Sequence, residues 1–404
     1  MGKHSKYKIA IMEDNPVHYR LPIHRAIAKN KKINITVYFC TTNDSSERYR
    51  YETSSKKGLG LKLYGFNYIL LKNYYPFKEK IISGGSWGGL WNFGIVTELI
   101  KNKYDAVIIY GYSSFSKKLA YLGAKLSGTP IIFREAITES TGGKIKRVWK
   151  KIFYTLLFKI PDVFLYSCTE NKEFYQKFGV PEKKLIRHPC SVDNKFYGEL
   201  SRKIKKKNIR KKLGIPIDAN VFLSVGTIDK RKFSFATLKA FEPLAQKNNY
   251  LIFLGEGPEK EKLQKCIEDK KISNVMFFKF KSNHEKVAEF YSVADVYVIA
   301  STGDPEPKAL NEAMNFPVAV IASTGVGTAS DLIKNGKNGF IFEKGDYKQL
   351  RKCMEKIISD KKKLKRMGFE SMKIISEWTP EEDAEATVKA LDYIYENEKT
   401  NFEK

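Results

Sequence analysis

Four segments in the second half of the chain gather residues able to hold a phosphorylated, hydroxyl-rich ligand. The first is VGTIDKRKFSFATLKAF (225–241), where a strand-like run stops at Gly226 and a loop carrying Lys230, Arg231 and Lys232 opens a helix. Cations placed where the amides of a helix start converge can bind a diphosphate. Taken alone, the same loop reads equally as a basic surface loop. The second is LGEGPEKEKL (254–263), in which Gly255, Gly257 and Pro258 form a turn tight enough for backbone to approach a flat nucleobase. By itself it is also an ordinary strand-to-helix turn. In the third, ADVYVIASTGDPEPKALNEAMNF (294–316), Asp304 and Glu306 lie on a loop before a helix that starts near Lys308. An ionised carboxylate only accepts hydrogen bonds, so Asp304 and Glu312 suit the hydroxyls of a sugar and a ribose. The first-turn amides of Lys308, Ala309 and Leu310 suit phosphate oxygens. Capping and compensation of the helix dipole is the competing reading of such carboxylates. The fourth, STGVGTASDLIKNGKNGFIFEKGD (323–346), is a glycine-punctuated loop, a short helix and a strand.

The first half offers residues suited to an acceptor. They cluster in EDNPVHYR (13–20), SGGSWGGLWN (83–92), YGYSSFS (110–116) and REAITESTGG (134–143), which bring forward His18, Trp87, Tyr112, Arg134 and Glu135. Glycine freedom beside Trp87 and Trp91 suits a loop that stacks on a sugar, although both also fit core or helix-start positions. His18 and His24 read as polar or capping residues of the first helix rather than as catalytic bases.

Strand-like and helix-like runs alternate almost end to end to position these segments. KIAIM, INITVYFC, NYILL, AVIIY, PIIF and DVFLY precede residue 170, and VFLSVG, YLIFLG, NVMFF, DVYVIA and VAVIA follow residue 220. Short apolar runs separated by amphipathic helices are the pattern of parallel sheets covered on both faces. Two such α/β domains of about 200 residues each create a cleft between them, and ligands of such sheets bind outside the carboxyl ends of the strands. The segment SRKIKKKNIRKK (201–212) marks the composition shift and is expected to be an inter-domain linker plus the first helix of the next domain, solvated rather than a nucleic-acid patch. In KIKRVWKKIFYTLLFKI (144–160), Val148, Trp149, Ile152, Phe153, Leu156 and Leu157 are expected on one core-facing helical stripe. A basic amphipathic helix lying on anionic lipid is the alternative there.

The formal net charge of the 404 residues is +27, carried mostly by lysine. Such charge favours anionic partners, namely nucleic acid, lipid headgroups or phosphorylated substrates, but a plain solubilising surface explains it as well. The basic run 201–212 lacks interleaved aromatics to stack bases, so nucleic acid is not the favoured partner. Five scattered cysteines without a CxxC pair argue against a disulfide framework and a zinc site, and most are expected to be buried free thiols. No apolar run reaches the roughly 18 residues of a membrane span. The expected setting is cytoplasmic, with peripheral contact on the inner face of the membrane as an option.

The motifs in combination resemble the family 4 glycosyltransferases of the GT-B fold, most strongly from about Val221 to Asp346. The family's glycine, loop and lysine read here as Gly226 to Lys232, and its GxGP as Gly255 to Pro258. Its acidic residue and Glu-Ala-Met read as Asp304 and Glu312-Ala313-Met314, and its closing strand as Asn338-Gly339-Phe340. The match is weaker over 160–197 and loose over the first 150 residues. The resemblance implies two Rossmann-like doubly wound domains facing a cleft: residues 1–200 for the acceptor and 201–377 for the nucleotide-sugar donor. Residues beyond about 378, to 404, are implied to pack back on the first domain. It also implies that Lys232 contacts the donor diphosphate beside Gly226, Thr227 and Arg231, that Glu312 binds the ribose, and that Asp304 lies near the sugar hydroxyls. Departures from the pattern are Thr227 in place of an arginine, Asp304 for the commoner glutamate and Pro317 for a glycine. Arg134 and Glu135 stand where the family has a histidine region, which adds Glu135 to the catalytic candidates Asp304, Glu312 and Lys232.

The expected function is a retaining glycosyltransferase moving a hexose or hexosamine from a UDP- or GDP-sugar to a saccharide or lipid-linked saccharide. No DxD motif ends a strand, so no metal and no other cofactor is expected. The alternatives are a catalytically impaired nucleotide-sugar-binding homologue, a nucleotide-sugar epimerase or phosphorylase on the same fold, and a basic nucleic-acid-binding protein.

Overall fold

A computed structural model describes residues 6–41, 63–76, 89–138, 144–189, 191–245, 248–279 and 283–402, with backbone alone for 144–147 and 397–402. Trp87 and Cys190 lie outside the described residues. The chain divides into two compact units. One comprises Met1–Ser167, Asn171–Ser191 and Pro380–Lys404, the other Cys168–Glu170 and Val192–Thr379.

The first unit holds strands β1 (Tyr7–Glu13), β2 (Ile33–Phe39), β3 (Asn67–Leu70), β4 (Ala106–Tyr110), β5 (Ile131–Arg134), β6 (Val163–Tyr166) and β7 (Leu185–Arg187). They form one parallel sheet in the order β3-β2-β1-β4-β5-β6-β7. Its helices are α1 (Leu21–Lys29), α2 (Gly94–Asn102), α3 (Phe115–Ser127), α4 (Lys144–Leu157) and α5 (Thr169–Lys177), the last of which starts in the three residues that group with the second unit. The central strands are all-buried runs such as AVIIY because helices cover both faces, leaving no face for an alternating polar residue. Residues of α2, α3, α4 and α5 share one apolar core with one face of the sheet.

The second unit repeats the architecture with β8 (Asn220–Val225), β9 (Asn249–Leu254), β10 (Val275–Phe278), β11 (Val296–Ile299), β12 (Ala319–Ser323) and β13 (Gly339–Phe342). The parallel order is β10-β9-β8-β11-β12-β13. Its helices are α6 (Asn194–Lys203), α7 (Lys206–Lys212), α8 (Ser234–Phe241), α9 (Lys260–Asp269), α10 (His284–Val293), α11 (Lys308–Ala313), α12 (Ala329–Leu332), α13 (Tyr347–Ile358) and α14 (Lys361–Ile375). The chain order reverses between β8 and β11 in this sheet and between β1 and β4 in the other, the switch points where such folds bind ligands. The last helix, α15 (Pro380–Phe402), belongs to the first unit, where Ala384, Val388, Ala390, Leu391 and Ile394 join the core on the α1 side of the sheet.

Four expectations need correction. The basic run 201–212 is helical almost throughout: the expected helix is present as α7, but the part expected to be a linker is the end of α6. Arg210 within it is 1% exposed. Its guanidinium donates to the carbonyls of Val293, Ile217 and Ala219 and to the Asp295 carboxylate, which satisfies a buried charge that the sequence presents as one more surface cation. The apolar residues of α4 do not form one core-facing stripe: Tyr154 and Phe158 are buried and Phe153 and Leu157 pack on the core, while Val148, Trp149, Ile152 and Leu156 are exposed. His18 precedes α1 on a turn, and of the described thiols only Cys40 and Cys168 are buried, with Cys266 and Cys353 half-buried.

Candidate functional site

At the carboxyl ends of β8 and β11, three loops are laced together by backbone hydrogen bonds. The Thr302 amide donates to the Arg231 carbonyl at 2.8 Å, the Asp304 amide to the Gly325 carbonyl at 2.9 Å and the Gly327 amide to the Asp304 carbonyl at 3.0 Å. This lacing fixes the basic loop against the acidic one. The Lys232 ammonium contacts the Asp304 carboxylate, with both side chains 15% exposed, and the half-exposed Arg231 guanidinium stands 3.5 Å from the same carboxylate. The Lys232 amide donates to the Asp229 carboxylate at 2.7 Å, which turns the loop so that its side chain runs along Gly226. Thr227 continues that loop, and Lys230 points elsewhere, into a cavity of about 520 Å³ with Phe233, Leu238, Lys239 and Cys266.

The GxGP turn serves close approach. A Cβ built on Gly255 would lie 1.8 Å from the Gly226 carbonyl oxygen, and one on Gly257 would lie 2.3 Å from that of Ile228. Only glycine therefore allows the β9 loop to lie against the basic loop, and Pro258 leads on into α9. Phe233, before α8, adopts the left-handed region at φ 58°, an uncommon conformation for a bulky side chain. Strain of this kind persists where the surrounding structure over-determines it.

Glu312 is on α11, 5% exposed, and accepts a 2.8 Å hydrogen bond from the Tyr291 hydroxyl. Burial first, then the Glu312 charge, raises the Tyr291 phenol well above its usual range, so Tyr291 stays a neutral donor that orients the carboxylate. Lys308 pairs with Glu306 at 3.2 Å, and both are largely buried. Pro307 caps α11, and the amide of Leu310 donates to its carbonyl at 3.0 Å. Leu310 is therefore withdrawn from the set of amides expected to face a phosphate, because the proline pulls the first turn tight; Lys308 and Ala309 precede it in that turn. The sequence names Glu306 and Lys308 but not their pairing, and it does not single out Tyr291 or Phe233. Nothing in a lone Tyr or Phe signals such a contact, whereas the Gly325 and Gly327 approach lies in a glycine-rich loop that the sequence does mark.

The first unit gathers a second set of ionisable groups at the carboxyl edge of its sheet. Glu13 is fully buried against His24 Nε2 at 3.0 Å and Arg20 at 3.5 Å. Burial pushes its carboxyl up, but Arg20 and His24 outweigh this and hold it below the usual range. Asp14 accepts from the Ser114 hydroxyl at 2.8 Å and pairs with Lys117 at 2.7 Å. Glu135 lies against Gly111, where a Cβ would fall 1.7 Å from its Oε2, and Gly111 has φ 83°. Burial raises the Glu135 carboxyl above its ordinary value despite the opposing pull of Lys117, Arg20 and Arg134. Arg134 is buried with its guanidinium over the Tyr110 ring. Tyr112 shares a 2.6 Å hydroxyl contact with Tyr154, and Trp91 packs edge-on against Tyr75 and Phe115 in the aromatic core beside α3. Of the acceptor candidates, Glu135 and Arg134 share this charged cluster with Arg20, while His18 lies on the turn leading to α1. Among the described residues no helix is long and apolar enough to cross a membrane.

Residues 205–373 match the model of the family described as glycosyl transferases group 1. Over that segment, less than half of its length, the chain is similar to the group 1 glycosyl transferases. Over 300 residues it is 25% identical to the GalNAc-alpha-(1->4)-GalNAc-alpha-(1->3)-diNAcBac-PP-undecaprenol alpha-1,4-N-acetyl-D-galactosaminyltransferase of Campylobacter jejuni, covering 71% of this chain and 76% of that enzyme. Over 162 residues it is 30% identical to the alpha-monoglucosyldiacylglycerol synthase of Acholeplasma laidlawii, a match covering 39% of this chain and only 40% of that relative. Among solved structures, Anabaena Alr3699/HepE in complex with UDP aligns at a TM-score of 0.67 with 15% identity, over 97% of this chain and all of that one. Such identity establishes the fold alone, and that fold is the two-domain GT-B architecture. The match to the family model covers the basic loop, the GxGP turn and α11 of this chain.

Proposed function

We propose that this glycosyltransferase is a retaining enzyme that transfers a hexose or hexosamine from a UDP- or GDP-sugar to a saccharide or lipid-linked saccharide, at the inner face of a membrane and without a metal ion. The observation that carries the donor assignment is the Lys232–Asp304 pair beside the buried Glu312. Alone, Lys232 and Asp304 neutralise each other. An arriving diphosphate offers Lys232 a stronger, doubly charged partner and releases Asp304 to accept from sugar hydroxyls. Glu312, aimed by Tyr291, accepts from the ribose. Leaving-group charge then falls on Lys232, Arg231 and nearby backbone amides, preset dipoles that need no metal. Glu135, with its raised carboxyl, is the group of the first unit suited to take the acceptor's proton. The Campylobacter and Acholeplasma relatives, whose names describe lipid-linked and diacylglycerol substrates, support the acceptor class.

Calorimetric titration with UDP, GDP and their sugars, in EDTA throughout, tests the reading. Glu312→Gln should weaken nucleotide and nucleotide-sugar alike, whereas Asp304→Asn should spare the nucleotide and weaken the sugar form. Capping alone predicts a lower melting temperature with unchanged ligand selectivity, costing about 0.5–2 kcal/mol of stability. That outcome, or turnover that EDTA abolishes and magnesium restores, rejects the corresponding part of the proposal.

A further inference from the structure

The cavity that Lys230 faces in the second unit has no part in the proposed donor contacts. Its volume of about 520 Å³ is that of a small-molecule site, and α8, α9 and the first residue of α13 all line it. Phe233, Phe235, Leu238 and the half-buried Cys266 give it apolar walls. A sugar or a nucleoside would bury hydroxyls there without partners. A protein partner needs about 800 Å² of surface on each side rather than a small hollow. The occupant that fits is a small molecule with an apolar body.

The charged residues of the lining select its head group. Lys230, Lys239 and Lys270 stand against Glu242 and Glu259, three cations to two carboxylates. Lys270 takes Glu242 at 3.0 Å, and the Lys239 ammonium sits 4.2 Å from the centre of the Tyr347 ring. Among the described residues Lys230 and Glu259 form no ion pair, with each other or with any other side chain. A carboxylate or phosphate head at Lys230 supplies the missing partner of the one cation left over. Lys230 and Phe233 also flank Arg231 and Lys232 in the basic loop. Thr302, another residue of the lining, donates its amide to the Arg231 carbonyl at 2.8 Å. Phe233 holds φ 58°, a conformation that its surroundings must maintain. An occupant packed on Phe233 and drawn to Lys230 therefore steadies the loop from behind, in the arrangement that sets Lys232 against Asp304. A ligand that favours one arrangement of a loop favours any second ligand of that same arrangement.

We propose that this cavity binds a soluble amphiphilic anion, its head at Lys230 and its apolar body along α8, and that occupancy strengthens nucleotide binding on the other side of the loop. The second half rests on the donor reading, and the first does not. The test is calorimetric titration of the full chain with dodecanoate below its micellar concentration, beside dodecanol and dodecyltrimethylammonium as neutral and cationic counterparts. Dodecanoate should bind about tenfold or more tighter than either counterpart, and should lose about tenfold or more in Lys230→Glu and in the cavity-filling Ala236→Phe. Where Ala236→Phe shows a lowered melting temperature, Ala236→Leu replaces it. Bound dodecanoate should slow maleimide alkylation of Cys266 and leave that of Cys353, which is half-buried outside the cavity, unchanged. UDP or GDP should bind about fivefold or more tighter in saturating dodecanoate. Equal binding of the three probes, binding unchanged in the variants, or Cys266 left unprotected overturns the site. Dodecanoate bound at the site with nucleotide affinity unchanged overturns the coupling. Absence of nucleotide binding with and without dodecanoate rejects the donor reading and leaves the site standing.

Discussion

Lys232 and Glu135 define what single side chains contribute. Lys232 is held by its amide bond to Asp229 and by the Asp304 carboxylate, so its head is placed before any ligand arrives. Thr227 occupies the position of the resemblance's arginine, which leaves Lys232 as the cation nearest the expected diphosphate. Removing one charge-assisted contact costs about 1.5–3 kcal/mol, so Lys232→Ala should weaken UDP or GDP binding roughly 10- to 100-fold. Calorimetry on the folded variant reads this directly, and unchanged affinity removes Lys232 from the site. Glu135 yields a prediction in pH. Burial raises its carboxyl above the ordinary 4.5 despite three nearby cations. A base must be ionised, so activity present at neutral pH should be lost on acidification earlier than an ordinary carboxylate would allow. The acid limb of kcat/KM should therefore lie above 4.5, and Glu135→Gln should remove that limb and lower turnover by about 100-fold or more. An acid limb that persists unchanged in the variant assigns the titration to another group.

The elements place those residues through close backbone approach. Gly255 allows the turn after β9 to touch the Gly226 carbonyl, and that contact holds two loops of the proposed donor site together. Alanine there meets backbone rather than a flexible side-chain tip, so the loops must separate. Gly255→Ala should lower both the melting temperature and nucleotide affinity, whereas Gly303→Ala, which meets nothing within 4 Å, should change neither. Equal behaviour of the two variants would show that the approach has no functional role. Most of the elements were legible because burial on both faces turns parallel strands into unbroken apolar runs such as AVIIY and YLIFLG. The loops of the proposed donor site were legible as loops because glycine, proline and paired charges follow those runs. What escaped depends on facts that periodicity does not carry. An apolar stripe such as that of α4 has the same spacing whether it faces a core or the outside. Arg210 has the composition of a surface cation, and the partners that decide its burial include Val293 and Asp295, more than eighty positions away. The amide of Leu310 is taken by Pro307, a local detail that the resemblance does not convey.

Over the whole molecule, the sequence order and the two compact units do not coincide, because α15 follows the second unit yet completes the first. Asp383 ties it down: its carboxylate meets His188 Nδ1 at 2.9 Å and accepts from the Ser191 hydroxyl at 2.6 Å and amide at 2.9 Å. Burial pushes that carboxyl up, but His188 and Ser191 outweigh it and hold it below the usual range. Its stabilising share is thus present at neutral pH and lost as acid protonates it. Further along, Tyr7 donates to Asp392 at 2.9 Å and Tyr395 to Asp105 at 2.7 Å. Val388, Leu391 and Ile394 are worth about 1.5–3 kcal/mol each in the core, against about 5–15 kcal/mol for a whole domain. A chain ending at Thr379 should therefore lose the fold of the first unit, which also keeps an uncompensated His188. The proposed nucleotide contacts Lys232, Asp304 and Glu312 all belong to the second unit and remain. Limited proteolysis should cut the truncated chain within residues 6–189 while residues 192–379 stay protected, and UDP or GDP titration should return the wild-type affinity within about threefold, a difference of roughly 0.7 kcal/mol. Loss of nucleotide affinity with the first unit still protected would place the donor contacts on the wrong unit.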